Sequence, residues 1–287
     1  MKKALSAIAF VLVALALTAP EATAQQLKLP RVSQKGVVTQ TIGMTDITIT
    51  YSRPGVKGRT IWGDLVPYDK VWRTGANEAT TIAFSKDVTI EGKPLPAGTY
   101  SLHTIPGKTS WSVIFNKKAE QWGSYEYDAT QDALKVQVTP AAGPNVEWMQ
   151  FSFPEVGTNS GKAELAWEKV RVAFNIGTDT TNQALAEIRK TLSGEVKEWT
   201  VPYGAASFAF NNNLNNAEAM GWIDRSVGMQ ETFWNLRLKS QMLEKAGQKK
   251  DAIATAEKAV TVGKTDKDAA DEVPKLEKQI AEWKGSK

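Results

Sequence analysis

The sequence predicts an α+β protein in two parts: an antiparallel β-sandwich or jelly-roll-like domain, then an α-helical domain. Three observations carry that prediction. Between Gln34 and Gly177 apolar side chains recur at every second position, the rhythm of a strand with one buried face. After Gly177 they recur every third or fourth position, the rhythm of helices. The chain has 287 residues, enough for about two domains with separate cores.

The elements follow in chain order. Lys2 and Lys3 precede an apolar run from Ala4 to Ala19, and Ala22-Thr23-Ala24 supplies a small-x-small pattern. This predicts a signal peptide over residues 1–24, cleaved after Ala24. The run is shorter than the ~20 residues a membrane-spanning helix requires. The expected product is exported, periplasmic or secreted, with a linker over 25–33. With no Cys in the chain, a lipid anchor at a lipobox is excluded.

In the β region, Ile47, Ile49 and Tyr51 alternate with Thr48, Thr50 and Ser52, and Trp111, Val113 and Phe115 alternate with Ser112, Ile114 and Asn116. Leu134, Val136 and Val138 repeat the pattern, as do Met149, Phe151 and Phe153. Turn signals stand at Gly43, Glu91-Gly92-Lys93-Pro94, Pro106-Gly107 and Ala142-Gly143-Pro144. About nine short strands without intervening amphipathic helices argue for packed antiparallel sheets over 34–177. In the last strand the apolar phase slips between Trp167 and Val170, which one extra residue near Glu168-Lys169, a β-bulge, would produce.

The domain at 178–287 begins with Ala184, Leu185, Ile188 and Leu192, with Gly194 at the C-cap position. Pro202 suits the first turn of a helix reaching Phe210. Asn216 is placed to cap the next helix, with Met220, Ile223 and Val227 inward and Gly228 closing it. A pair follows over Thr232–Ala246 and Asp251–Val262, parted by Gly247, and a final helix is expected over Asp266–Trp283. Ala217 and Ala252 stand 35 residues apart, near the 34-residue tetratricopeptide period. Leu243, Gly247, Ala252, Ala256 and Ala259 match its large and small positions. An ordinary helical bundle with accidental spacing is the alternative.

Composition narrows the chemistry. With one His and no Cys, thiolate and multi-histidine metal sites are excluded, as are thiol nucleophiles. No P-loop, nucleophile elbow or calcium loop occurs, so no cofactor, metal or catalytic residue is assigned. A net charge of +4 without a clustered basic stretch makes nucleic acid a poor partner.

The least generic stretches are Tyr51–Arg59 (YSRPGVKGR), Leu65–Thr80 (LVPYDKVWRTGANEAT), Leu95–Gly107 (LPAGTYSLHTIPG) and Gln121–Asp128 (QWGSYEYD). In these blocks the chain resembles exported bacterial proteins carrying the domain of unknown function 2911. The resemblance covers about 34–177, and the helical tail is similar to the one many members carry. It implies an exported β-rich domain and supplies no catalytic residues.

The candidate ligand-binding residues are Arg53, Arg59, Trp72, Arg73, Asn77, Glu78 and His103. Guanidinium forks grip carboxylate or phosphate in pairs of hydrogen bonds, and indole faces suit sugars. The competing account has the same arginines satisfying loop carbonyls while buried Trp pins the loop. His103 shares a strand face with Thr99 and Ser101, which predicts a satisfied or exposed histidine more readily than a catalytic base. Glu126 and Asp128 beside Trp122 and Tyr125 form an acidic–aromatic cluster. The expected function is non-enzymatic binding or scaffolding: the helical tail would contact an envelope protein or peptide, and the Arg/Trp loop a small anionic or carbohydrate ligand. The alternative is an envelope hydrolase acting on a carbohydrate or ester.

Overall fold

A computed structural model describes residues 29–214 and 217–285; the expected signal peptide and the Asn216 cap lie outside them. Among the described residues, ten strands form two antiparallel sheets. The first holds β1 (Gln34–Ile42), β2 (Thr45–Arg53), β3 (Thr81–Phe84), β6 (Gly98–Ile105), β7 (Trp111–Asn116) and β8 (Asp132–Val138), in that order across the sheet. The second runs β5 (Lys93–Leu95), β4 (Val88–Ile90), β10 (Ser160–Thr178) and β9 (Ala141–Val156).

Two of these strands are not short. β9 has 16 residues and β10 has 19, and the expected turn at Ala142-Gly143-Pro144 lies inside β9. Pro144 is tolerated there because β9 is the edge of its sheet, where a missing N–H breaks no ladder. The bulge in β10 is present: its register against β9 shifts on both sides of Glu168, whose φ is +50°. That extra residue restores Val172, Phe174 and Ile176 to the core face after Trp167.

Between the sheets lies one core, built from the alternating sets read in the sequence: Ile47, Ile49, Leu102, Val113, Phe115, Met149 and Phe174. At one end four indoles meet. Trp72 stacks on Trp167 with centroids 5.8 Å apart, and Trp62 stands edge-on to Trp72, Trp111 and Trp167. Trp62 and Trp72 belong to the long connection between β2 and β3, so their burial fastens that connection to the sandwich.

Six helices follow: α1 (Thr180–Ser193), α2 (Thr200–Asn211), α3 (Ala217–Met229), α4 (Phe233–Lys245), α5 (Lys249–Gly263) and α6 (Val273–Gly285). Asp179 caps α1, and Thr232 and Asn235 form a capping box on α4. Ala252, Ala256 and Ala259 are fully buried in one cluster with Phe233 and Leu243; small residues let α5 approach α4 closely. Two expectations shift. The last helix begins at Val273, because Asp266 caps a separate 3₁₀ turn over Lys267–Ala269. On α3, Ala219, Trp222, Ile223 and Ser226 are buried while Met220 and Val227 are only partly so. No described helix is long and apolar enough to cross a membrane.

The helical part is joined to the sandwich by more than the chain. Thr45 donates to Gln183 Oε1 at 3.1 Å, Gln183 Nε2 donates to the Asp87 carbonyl at 3.3 Å, and Thr180 donates to the Thr158 carbonyl at 2.9 Å. An apolar hollow of about 210 Å³ beside this joint is lined by Met44, Ala184, Ile188, Leu192 and Val201.

Candidate functional site

Two connections build the site: residues 54–80 between β2 and β3, and residues 117–131 between β7 and β8. The first is tightly held. Trp72 exchanges two backbone hydrogen bonds with Thr104 of β6, at 2.8 and 2.9 Å. Thr74 and Asn77 adopt φ of +55° and +58°, a region that costs a β-branched residue most. Hydrogen bonds compensate. Thr80 donates to the Thr74 carbonyl at 2.6 Å, and the Thr74 and Thr104 hydroxyls are 3.1 Å apart. Asn77 Nδ2 donates to the Ser33 carbonyl and to Ser52 Oγ, both at 3.2 Å.

The second connection is zipped onto the first. Glu78 and Trp122 form an antiparallel bridge, with Ala79 N–H donating to the Gln121 carbonyl at 3.0 Å and Gly123 N–H to the Asn77 carbonyl at 3.1 Å. Ser124 Oγ donates to the Val71 carbonyl at 3.3 Å. On the underside, Gln121 Nε2 donates to Ser101 Oγ at 3.1 Å, and Tyr127 donates to Asp132 at 2.7 Å.

A groove of about 1090 Å³ opens beside this ladder. Its floor is the outward face of β1, β2 and β3, carrying Lys35, Thr50, Ser52 and Thr81; its walls are Leu29, Pro30 and Arg31 with Glu78, and Ala119, Glu120 and Gln121. The hydroxyls are aligned by register, since Thr50 pairs with Thr81 and Thr81 with Ser101. Arg31 grips both oxygens of Glu78 at 2.5 and 2.6 Å and lies 5.7 Å from the Trp122 ring. Each partner favours the other's charged form: the Glu78 carboxyl is lowered and the Arg31 guanidinium raised, chiefly by that hydrogen bond. Trp122 remains 55 % exposed and Tyr125 85 %.

A family model described as a protein of unknown function, DUF2911, matches residues 33–176. The chain belongs to this family. No curated protein and no solved structure matches it. The DUF2911 match spans the sandwich and both connections of the site.

Within the DUF2911 domain the seven candidate residues take different roles. Arg53 Nε donates to the Met149 carbonyl at 3.0 Å, and Arg59 holds the carbonyls of Val56 and Gly55 at 3.1 and 2.6 Å. Trp72 is core, and Asn77 ties the N-terminal segment to β2. Glu78 alone of the seven lines the groove. Arg73 is half-buried, and alone among the described arginines it donates no hydrogen bond and meets no carboxylate. Burial lowers its pKa, against the opposing pull of nearby Tyr125.

His103 departs from expectation, being buried rather than exposed and not fully satisfied. It is 0 % exposed, and neither ring nitrogen has a partner at full hydrogen-bond geometry, the Trp72 backbone offering only a marginal one. The reason is the 117–131 connection, which covers the polar face of β6 and sets the Tyr127 ring 5.1 Å from the imidazole. Burial pushes the pKa from 6.5 down to about 4, against the upward pull of the Asp132 charge and of the marginal hydrogen bond to the Trp72 backbone. Glu126 is ion-paired with Lys118, and Asp128 caps the 3₁₀ turn at Ala129–Gln131.

Reading the sequence missed Arg31, Lys35, Glu120 and Gln121. The polar phase of β2, Thr50 and Ser52, was a usable signal for the groove floor. Arg31 lay in a stretch read as linker, and nothing local marked it as a wall.

Proposed function

We propose that this DUF2911 protein is an exported, non-enzymatic binding protein whose groove takes a short carbohydrate. The observation that carries the reading is the groove itself: a hydroxyl-bearing floor, amide and charged walls, and an exposed indole at its margin. Sugar hydroxyls donate and accept in equal measure, as Thr50, Ser52, Thr81, Gln34 and Gln121 do, and the C–H faces of a pyranose ring stack on Trp122. Its volume lies just above the ~300–1,000 Å³ range of small-molecule sites, so a chain of sugar rings fits better than a single one. His103, Glu126 and Asp128, the groups the hydrolase alternative would recruit, are respectively enclosed, ion-paired and engaged in a cap.

The experiment is a titration of the full chain with a panel of short neutral and acidic oligosaccharides, followed by tryptophan fluorescence. Saturable binding that falls about tenfold or more in Trp122→Ala is expected. A wild-type protein that binds none of the panel overturns the reading, and hydrolysis of a bound member moves it to the hydrolase class. The helical tail is assigned a second task, contact with another envelope protein or peptide, supported by the tetratricopeptide-like spacing and the buried alanines of α5.

A further inference from the structure

We propose that Arg73, next to Tyr125, is an oxyanion-binding site separate from the groove, taking the carboxylate or phosphate of a ligand. This site does not depend on carbohydrate binding in the groove.

A half-buried guanidinium has given up part of its hydration, and proteins normally repay that loss with a carboxylate or with backbone carbonyls. Every other described arginine follows this rule. Arg31, Arg171, Arg189 and Arg237 meet carboxylates, and Arg53, Arg59 and Arg225 meet carbonyls. Arg73 does neither, and its Nε is buried without a partner.

The backbone holds Arg73 in place. The residue before it, Trp72, is buried in the indole cluster and bonded on both sides to Thr104. The residue after it, Thr74, is 1 % exposed and has φ of +55°. The Arg73 carbonyl accepts from Thr80 N–H at 3.1 Å. Strain of this kind persists only where the surroundings over-determine it, and here it fixes the base of the one guanidinium with no internal task. A planar fork so held is suited to two parallel N–H···O bonds. Tyr125, 85 % exposed, is near enough to act on the Arg73 charge.

The site lies away from the groove along the same ladder. Ala79 and Gln121 line the groove, whereas Arg73 and Tyr125 are not among its lining residues, and Ser124 bonds to Val71, two residues before Arg73.

The test uses the full chain labelled with ¹⁵N and follows the Arg73 Nε–H and the amides of residues 71–76 and 123–127. Sodium acetate and inorganic phosphate are titrated separately at constant ionic strength, with chloride as the balancing salt. Saturable shifts confined to these residues are expected, with the anion that saturates first identifying the class. The amide shifts should weaken about tenfold in Arg73→Gln and in Arg73→Lys, which keeps the charge and loses the fork. Should Arg73→Gln fail to fold, the wild-type Nε–H titration with Tyr125→Ala decides. Shifts that are linear, that chloride reproduces, or that survive loss of the guanidinium overturn the proposal.

Discussion

A histidine kept neutral inside a protein makes stability depend on pH, and His103 is such a residue. Its folded pKa of about 4 lies below the ordinary 6.5, so the unfolded chain takes up the proton first as pH falls. The stability tied to the neutral imidazole is therefore complete above 6.5 and is lost progressively down to about 4. A depression of that size corresponds to something on the order of 3 kcal/mol. His103→Leu should flatten the melting temperature measured across this window, and an unchanged slope would assign the acid sensitivity to other groups. The groups facing His103 are Tyr127 and Asp132; burial and the hydrogen bond to Asp132 raise the Tyr127 phenol. The residue type and its strand face were readable in the sequence, but its burial was not, because the cover comes from a connection more than a dozen residues downstream.

Elements of this fold are terminated by residues whose conformational needs are local, and these were the most legible features. Gly43 opens the two-residue turn between β1 and β2 with φ of +60°, as such hairpins require. The structure adds a second demand: a Cβ there would lie 1.9 Å from Thr180 Oγ1 and 2.8 Å from the Thr158 carbonyl. Gly43→Ala should thus cost more than the ~1–2 kcal/mol of the left-handed backbone alone, as measured by urea unfolding. The double variant Gly43→Ala/Thr180→Ala should recover part of the loss, since it removes the hydroxyl but not the backbone strain. Failure to recover would show that the turn and the Thr158 carbonyl, and not the Thr180 hydroxyl, set the cost. The bulge at Glu168 was legible for a similar reason, since an extra residue leaves its mark as a phase slip. The length of β9 was not, because Gly143 and Pro144 signal a turn by composition and only their edge position allows a strand.

Across the whole molecule, the sandwich and the helices are tied by Thr45, Gln183, Thr180 and Thr158. A tail that serves partner contact should leave most of its outer surface free of the sandwich. Capture from envelope extract with the full chain, compared with a chain ending at Thr178, tests this: loss of a defined partner with the tail supports the assignment, and identical partner sets refute it. The six tryptophans of the sandwich part divide on the same scale. Trp62, Trp72, Trp111 and Trp167 converge on one cluster, while Trp122 and Trp148 stand 55 % and 43 % exposed. Composition could not sort them, because an indole is equally at home in a core and at a binding surface.

By itself the sequence determined the two-part architecture, the bulge, most helix ends and the sets of side chains that face the core. These follow from side-chain period and from residues with narrow backbone preferences, both properties of neighbouring positions along the chain. Tertiary structure alone decided which arginine lacks a partner, which indoles face solvent, and that residues 29–31 and 119–121 wall one groove with β1, β2 and β3. Each of those outcomes depends on segments far apart in sequence meeting in space. Burial and hydrogen-bond satisfaction are set by such meetings, and no local pattern encodes them.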